Sequence, residues 1–176
     1  FMKKRTALRA GAVLIFILLC VSYGFSSWRQ AEARSLEETV AREVFVTDLG
    51  PVSSFSIDKN GSRLTFLLEN DTWYCSQNPE AALNQETVRT LAGLLSRLPA
   101  IEMIETPEPL ETYGLADPQL SFEITTADST AALLIGNVLS DGSQYYACIS
   151  GGTLVYTIGS QLTEIASTDL SDFLET

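Results

Sequence analysis

The chain has 176 residues, 45% of them hydrophobic and 19% charged, the composition of a folded protein with room for one ordinary domain beside a hydrophobic segment. Its charge is unevenly spread: six of the eleven basic residues lie in the first 34 positions, and from Ser35 onward five basic residues stand against 21 acidic ones, a net charge of −16. So acidic a region repels phosphate backbones, which excludes nucleic acid as a partner, and the absence of histidine removes the commonest general base and metal ligand.

Residues 10–25 form an uncharged, largely apolar run. As a helix rising about 1.5 Å per residue it spans roughly 24 Å, short of a hydrocarbon core of about 30 Å. Extending it to residues 7–28, with Arg9 snorkelling and Trp28 at the far interface, makes it long enough to cross. Lys3, Lys4, Arg5 and Arg9 then hold the N-terminus in the cytoplasm and send the rest of the chain across the membrane. Residues 1–28 therefore read as a basic tip and a single-pass anchor that contacts the lipid bilayer through residues 7–28. A secretory signal cleaved at Ala31-Glu32-Ala33 is the alternative and would release a secreted domain. A lipoprotein signal at Cys20 fits less well, because Leu19 before it is large. Residues 29–45 carry a Leu36, Val40, Val44 stripe at helical spacing and read as a helical stalk.

Residues 46–176 read as one extracytoplasmic α+β domain of antiparallel meanders with packed helices. Residues 52–57 alternate as a strand with Phe55 and Ile57 on one face. Asn60-Gly61 supplies the positive φ of a tight hairpin turn, and residues 64–69 return. Asp58-x-Asn60-Gly61 also opens like a calcium loop, but the acidic ligand required downstream is missing. A second turn at Asn70-Asp71 leads into residues 72–75. From Asn84 or Gln85 to Leu98 the spacing of Val88, Leu91, Leu94, Leu95 and Leu98 predicts a helix, closed by Pro99. Residues 101–104 read as a short strand, and Thr106-Pro107-Glu108-Pro109 as a connector.

Next comes Tyr113-Gly114-Leu115-Ala116-Asp117-Pro118, which the sequence predicts to be a rigid corner. Gly114 takes a left-handed cap without steric cost, Leu115 folds back as the apolar contact of that cap, and Pro118 forces Asp117 out of helical geometry. Strands follow at 120–125, 131–135, 144–149 and 153–158, with turns at Asp141-Gly142 and Gly151-Gly152, and short helices at 160–165 and 169–174. Residues 54–70 align with 121–137 at an offset of 67, with six identities in seventeen positions. A duplicated strand-turn-strand unit is one reading, with halves at 46–105 and 113–176. Chance similarity between two amphipathic hairpins is the other.

No phosphate loop, serine elbow or paired-cysteine zinc motif is present, and no two carboxylates form an acid/base pair by spacing. The expectation is a protein that is not an enzyme and uses no cofactor or metal, with a carboxylate hydrolase as the least favoured reading. Cys75 and Cys148 each stand two places after an aromatic residue, Trp73 and Tyr146, on strands. The compartment permits a Cys75–Cys148 disulfide, and two buried free thiols are the plainer alternative. Asn60-Gly61-Ser62 and Asn70-Asp71-Thr72 match the glycosylation acceptor pattern, yet both are better explained as turns. Tyr113, Tyr145, Tyr146 and Tyr156 either line a groove for a glycan or peptide or fill core positions.

Taken together, the basic tip and single span, Val46-Thr47-Asp48, Asn70-Asp71-Thr72-Trp73-Tyr74 before a proline and the leucine-rich helix set a pattern. Tyr113-Gly114-Leu115-x-Asp117-Pro118, Leu134-Ile135-Gly136, Tyr145-Tyr146 and Val155-Tyr156 complete it. The chain so composed resembles the bacterial domain-of-unknown-function family 4340. The resemblance implies a membrane-anchored envelope protein, in a family often encoded beside ABC-type transporters resembling gliding-motility exporters. It implies a membrane or envelope protein as partner and supplies no catalytic or ligand residues. A noncatalytic accessory or interaction module is the expected function, with an extracellular glycan- or peptide-binding module as the alternative.

Overall fold

Phe55 and Ile57 lie on one strand and Phe122 and Ile124 on another, and the fold is built by setting these two strands side by side. The structure is a computed structural model that describes residues 44–175. The membrane anchor and all but the last two residues of the stalk lie outside them. Among the described residues no helix is long and apolar enough to cross a membrane.

Eight antiparallel strands form one sheet in the order β3-β2-β1-β5-β6-β7-β8-β4. They are β1 (Val52–Lys59), β2 (Ser62–Glu69), β3 (Thr72–Cys75), β4 (Glu102–Ile104), β5 (Leu120–Thr126), β6 (Thr130–Val138), β7 (Gln144–Ile149) and β8 (Val155–Gly159). Helix α1 (Gln85–Ser96) follows β3, and the short helix α2 (Gln161–Ile165) follows β8. Single 3-10 turns occupy Leu110–Tyr113 and Leu170–Phe173. The mixed class expected from sequence is therefore present, with strand dominating.

At the centre β1 and β5 pair with Phe55 opposite Ile124 and Ile57 opposite Phe122, so the four apolar side chains share the front face. All four are at most 1% exposed. Each such burial is worth about 1.5–3 kcal/mol of transfer free energy. Helix α1 covers this face through Val88, Leu91 and Leu95. Phe66 stacks on Phe55 with ring centroids 5.0 Å apart, and Phe173 from the C-terminal turn meets Phe66 edge-on at 4.9 Å. The C-terminus is tied down where α1 begins: Asn84 N–H donates to the Phe173 carbonyl at 2.7 Å, while the Asn84 side chain caps the helix by accepting from Thr87 N–H at 3.1 Å.

Helix α1 ends at Ser96, two residues before the end that its leucine spacing predicts. Proline disfavours helical geometry in the residue before it, and Leu98 instead stays buried and donates its N–H to the Thr47 hydroxyl at 2.9 Å. The stalk is corrected at its end as well. Val44 and Phe45 are not helical: Ala100 N–H donates to the Val44 carbonyl, Phe45 bridges Pro99, and Phe45 carries the Arg97 guanidinium over its ring at 4.1 Å. The folded unit accordingly starts at Val44.

The 67-residue offset has a structural counterpart. In β1–β2 Ser54 pairs with Leu67, and in β5–β6 Ser121 pairs with Leu134, which is the same register displaced by that offset. Asn60-Gly61 closes the first hairpin, and Ala127-Asp128 holds the equivalent place in the second, where Thr126 N–H and hydroxyl both donate to the Ser129 carbonyl. Beyond the hairpins the correspondence ends. A tight Asn70-Asp71 turn joins β2 to β3, whereas residues 139–143 and a register shift between Ile135 and Val138 separate β6 from β7. The likeness of the halves is confined to two strands each.

Candidate functional site

Gly114 has φ +69° and ψ 23°, the left-handed cap that the sequence predicts. Its N–H donates to the Glu111 carbonyl at 3.2 Å, and Leu115 N–H reaches the Leu110 carbonyl at 2.9 Å. This closes the 3-10 turn and aims Tyr113 and Leu115 at the back of the sheet. There they join Cys148 of β7 and Val155 of β8 in a second buried cluster, flanked by Ile104, Leu134 and Tyr146. The Tyr113 and Tyr146 rings are 4.8 Å apart, and the Tyr113 hydroxyl accepts from Glu108 N–H at 3.0 Å. Asp117 stays exposed and Pro118 half-buried, so the corner turns away from the sheet after Leu115.

The seat for this corner is Gly136. A Cβ on Gly136 would overlap the Tyr113 carbonyl oxygen and stand 3.0 Å from Leu115 Cγ, and a Cβ on Gly114 would collide with the Asn137 side-chain amide. The Gly136-Asn137 irregularity in β6 and the Tyr113-Gly114 corner are thus one contact. An isolated glycine ending an apolar strand was the available signal, since such glycines mark bulges or close backbone approaches. The sequence reading stopped that strand at Ile135.

Beside the contact lies a cleft of about 440 Å³, where the ends of β1, β5 and β6 meet α2. Gly114 and Asp117 are the corner residues that line it; Tyr113 and Leu115 are packed beneath. Lys59 also borders it and donates from Nζ to the Ala166 carbonyl at 3.2 Å, which places a positive charge at the C-terminal end of α2. Beyond the corner the sequence marks Tyr145 as a groove candidate and Asn60 as a turn residue, but it does not bring them together with Lys59, Gln119 and Asn137, because these come from separate elements.

The tyrosine-lined groove does not form. Tyr145 lines the cleft, whereas Tyr113 is buried, Tyr146 packs on the second cluster and Tyr156 on the front core. The Cys75–Cys148 disulfide is not formed either: both thiols are free, Cys75 within the front core and Cys148 in the back cluster. The sheet separates them, because alternation sends their side chains to opposite faces. Burial among apolar neighbours pushes the Cys148 thiol above its ordinary pKa, the opposite of a reactive thiolate. Asn60 and Asn70 have φ of 52° and 50°, so both acceptor motifs sit on left-handed hairpin turns. Among the described residues no group of three or more Cys, Asp or Glu is placed to hold a metal ion.

A family model described as "Domain of unknown function (DUF4340)" matches residues 73–176, more than half of the chain. The match takes in α1, the corner, Gly136 and the cleft's β5–β8 side, and begins after the first hairpin and the Val46-Thr47-Asp48 entry. Neither the curated proteins nor the solved structures yield a match.

Proposed function

We propose, for a chain that belongs to the DUF4340 family, that the domain is a noncatalytic interaction module of an ABC-type transport or envelope assembly, held at the cell membrane by residues 7–28. The observation that carries this reading is the half of the sheet's back face that no other described residue covers. Helix α1 and the main core occupy the front, and the corner covers only the β6–β7–β8 side behind. Over β2, β1 and β5 the side chains on the back are mostly polar. Ser56 and Thr65 share a hydrogen bond at 3.0 Å, and Arg63 pairs with Glu123 at 2.9 Å with the two side chains 48% and 54% exposed. Leu67 and Tyr74 stand exposed at its margin. A polar surface with a few exposed apolar anchors suits a nonobligate protein contact better than a small-molecule site.

The β3 edge favours docking on the face over strand addition. Gln85 occupies both the N–H and the carbonyl of Trp73, Arg89 donates to the Asp71 carbonyl, and Asn78 N–H donates to the Cys75 carbonyl. A hydrolase would need two converging carboxylates, and among the described residues Asp117 is the one carboxylate that lines the cleft.

Photo-crosslinking of the full chain in its own membrane tests the proposal, with the crosslinker placed at Thr65 on the back face or at Thr90 on α1. Adducts to a transporter or envelope protein from position 65 and none from position 90 are expected. Equal labelling from both positions, or no membrane-protein adduct from either, overturns it.

A further inference from the structure

The cleft beside the corner carries an inference that is independent of the partner-docking reading. Three side-chain amides among the described residues are committed internally: Gln85 to Trp73, Gln77 to the Thr65 N–H and the Arg63 carbonyl, Asn84 to the α1 cap. Three exposed ones, Asn60 from the β1–β2 turn, Gln119 before β5 and Asn137 from the β6 irregularity, line the one cleft together without such a bond among the described residues. Each primary amide presents donors and an acceptor together, the complement of neighbouring hydroxyl groups that both donate and accept. Tyr145 and the half-exposed Val138, which line the same cleft, supply apolar surface. We infer that the cleft binds a short neutral oligosaccharide, with the amides on its hydroxyl edge and Tyr145 and Val138 against its apolar face.

Size and charge narrow the ligand class. A volume of about 440 Å³ falls at the small end of ligand sites, which run from about 300 to 1,000 Å³. An anionic ligand is disfavoured: the Lys59 ammonium is spent on the Ala166 carbonyl, Asp117 stands at the rim, and the chain beyond Ser35 carries a net charge of −16. An extended peptide would need free backbone groups, and at the β1–β5 end these are engaged with each other, Asn60 N–H donating to the Gln119 carbonyl at 2.9 Å.

Saturation-transfer NMR and calorimetry on the full chain test the inference, with cellobiose, maltose and N,N′-diacetylchitobiose as probes and glucuronate and trialanine as comparisons. Saturable binding of at least one neutral disaccharide is expected. Gln119→Ala and Asn60→Gly should each weaken it up to about tenfold, the contribution of one hydrogen-bonding group. Asn60→Gly keeps the left-handed turn, so a folding defect does not cloud the result. No saturable binding of any disaccharide, a preference for glucuronate or trialanine, or unchanged affinity in both variants overturns the inference. The crosslinking outcome at the back face is unaffected by any of these results.

Discussion

Glu69 and Gly136 occupy equivalent places at the ends of two hairpins that share one register, yet Glu69 is exposed and Gly136 lies under the Tyr113 carbonyl. Leu67 and Leu134 are the same pair one turn of the alternation earlier: Leu67 is 37% exposed, while Leu134 packs against the buried back cluster of Tyr113, Leu115, Cys148 and Val155. The hairpins differ little in themselves. The difference is the segment between β4 and β5, which folds over β6 of the second hairpin and, among the described residues, leaves the back of the first uncovered. This one segment sets apart a covered part of the sheet's back face from an open part among the described residues. The covered half acquired a cleft at its margin; the open half kept a polar face.

The sharpest way to break this comparison is to place alanine at the two equivalent positions. Gly136→Ala must displace the Tyr113 backbone and should cost about 3 kcal/mol or more, whereas Glu69→Ala should stay within about 0.5 kcal/mol. Urea unfolding of both variants reads the contrast, and equal midpoints would dissolve it. Next in size is Leu115→Ala, which empties a site only 1% exposed and should cost about 2–5 kcal/mol, against about 0.5 kcal/mol or less for Leu67→Ala. Thermal melts of the two variants should therefore separate clearly.

Gly114→Ala should cost about 1 kcal/mol, because alanine is strained at φ +69° while the exposed Asn137 side chain has room to move. A melting temperature equal to that of the parent would remove the left-handed cap from the account. The smallest effect belongs to the 139–143 loop, the counterpart of the tight turn between β2 and β3. Hydrogen bonds from the Ser143 N–H and hydroxyl hold the Asp141 carboxyl below its ordinary pKa of 3.8. A depressed carboxyl stabilises the fold above its unfolded pKa, and that contribution is lost as pH falls through the folded value. Acid titration of stability should show a small extra loss below pH 3.8 in the parent that Asp141→Asn lacks.

Much of the local structure is legible in the residues. Asn60-Gly61 and Asn70-Asp71 mark turns because few residues tolerate positive φ, and the alternation through Phe55-Ser56-Ile57 or Phe122-Glu123-Ile124 assigns strand and face together. The corner is readable for the same reason, since Gly114 and Pro118 restrict the backbone within their own few residues. The cleft is not readable, because Asn60, Gln119 and Asn137 lie in three separate places along the chain and no local rule brings them together.

By itself the sequence determined where strands, turns and caps fall, the mixed fold class, and the family pattern carried by the corner. Each of these depends on backbone preferences and periodicities within a handful of residues. Only the tertiary structure decided that β1 lies against β5, that the corner sits on Gly136, and that Cys75 and Cys148 end on opposite faces. Those outcomes join residues tens of positions apart, and they are selected by the burial of whole faces rather than by the preferences of any one segment.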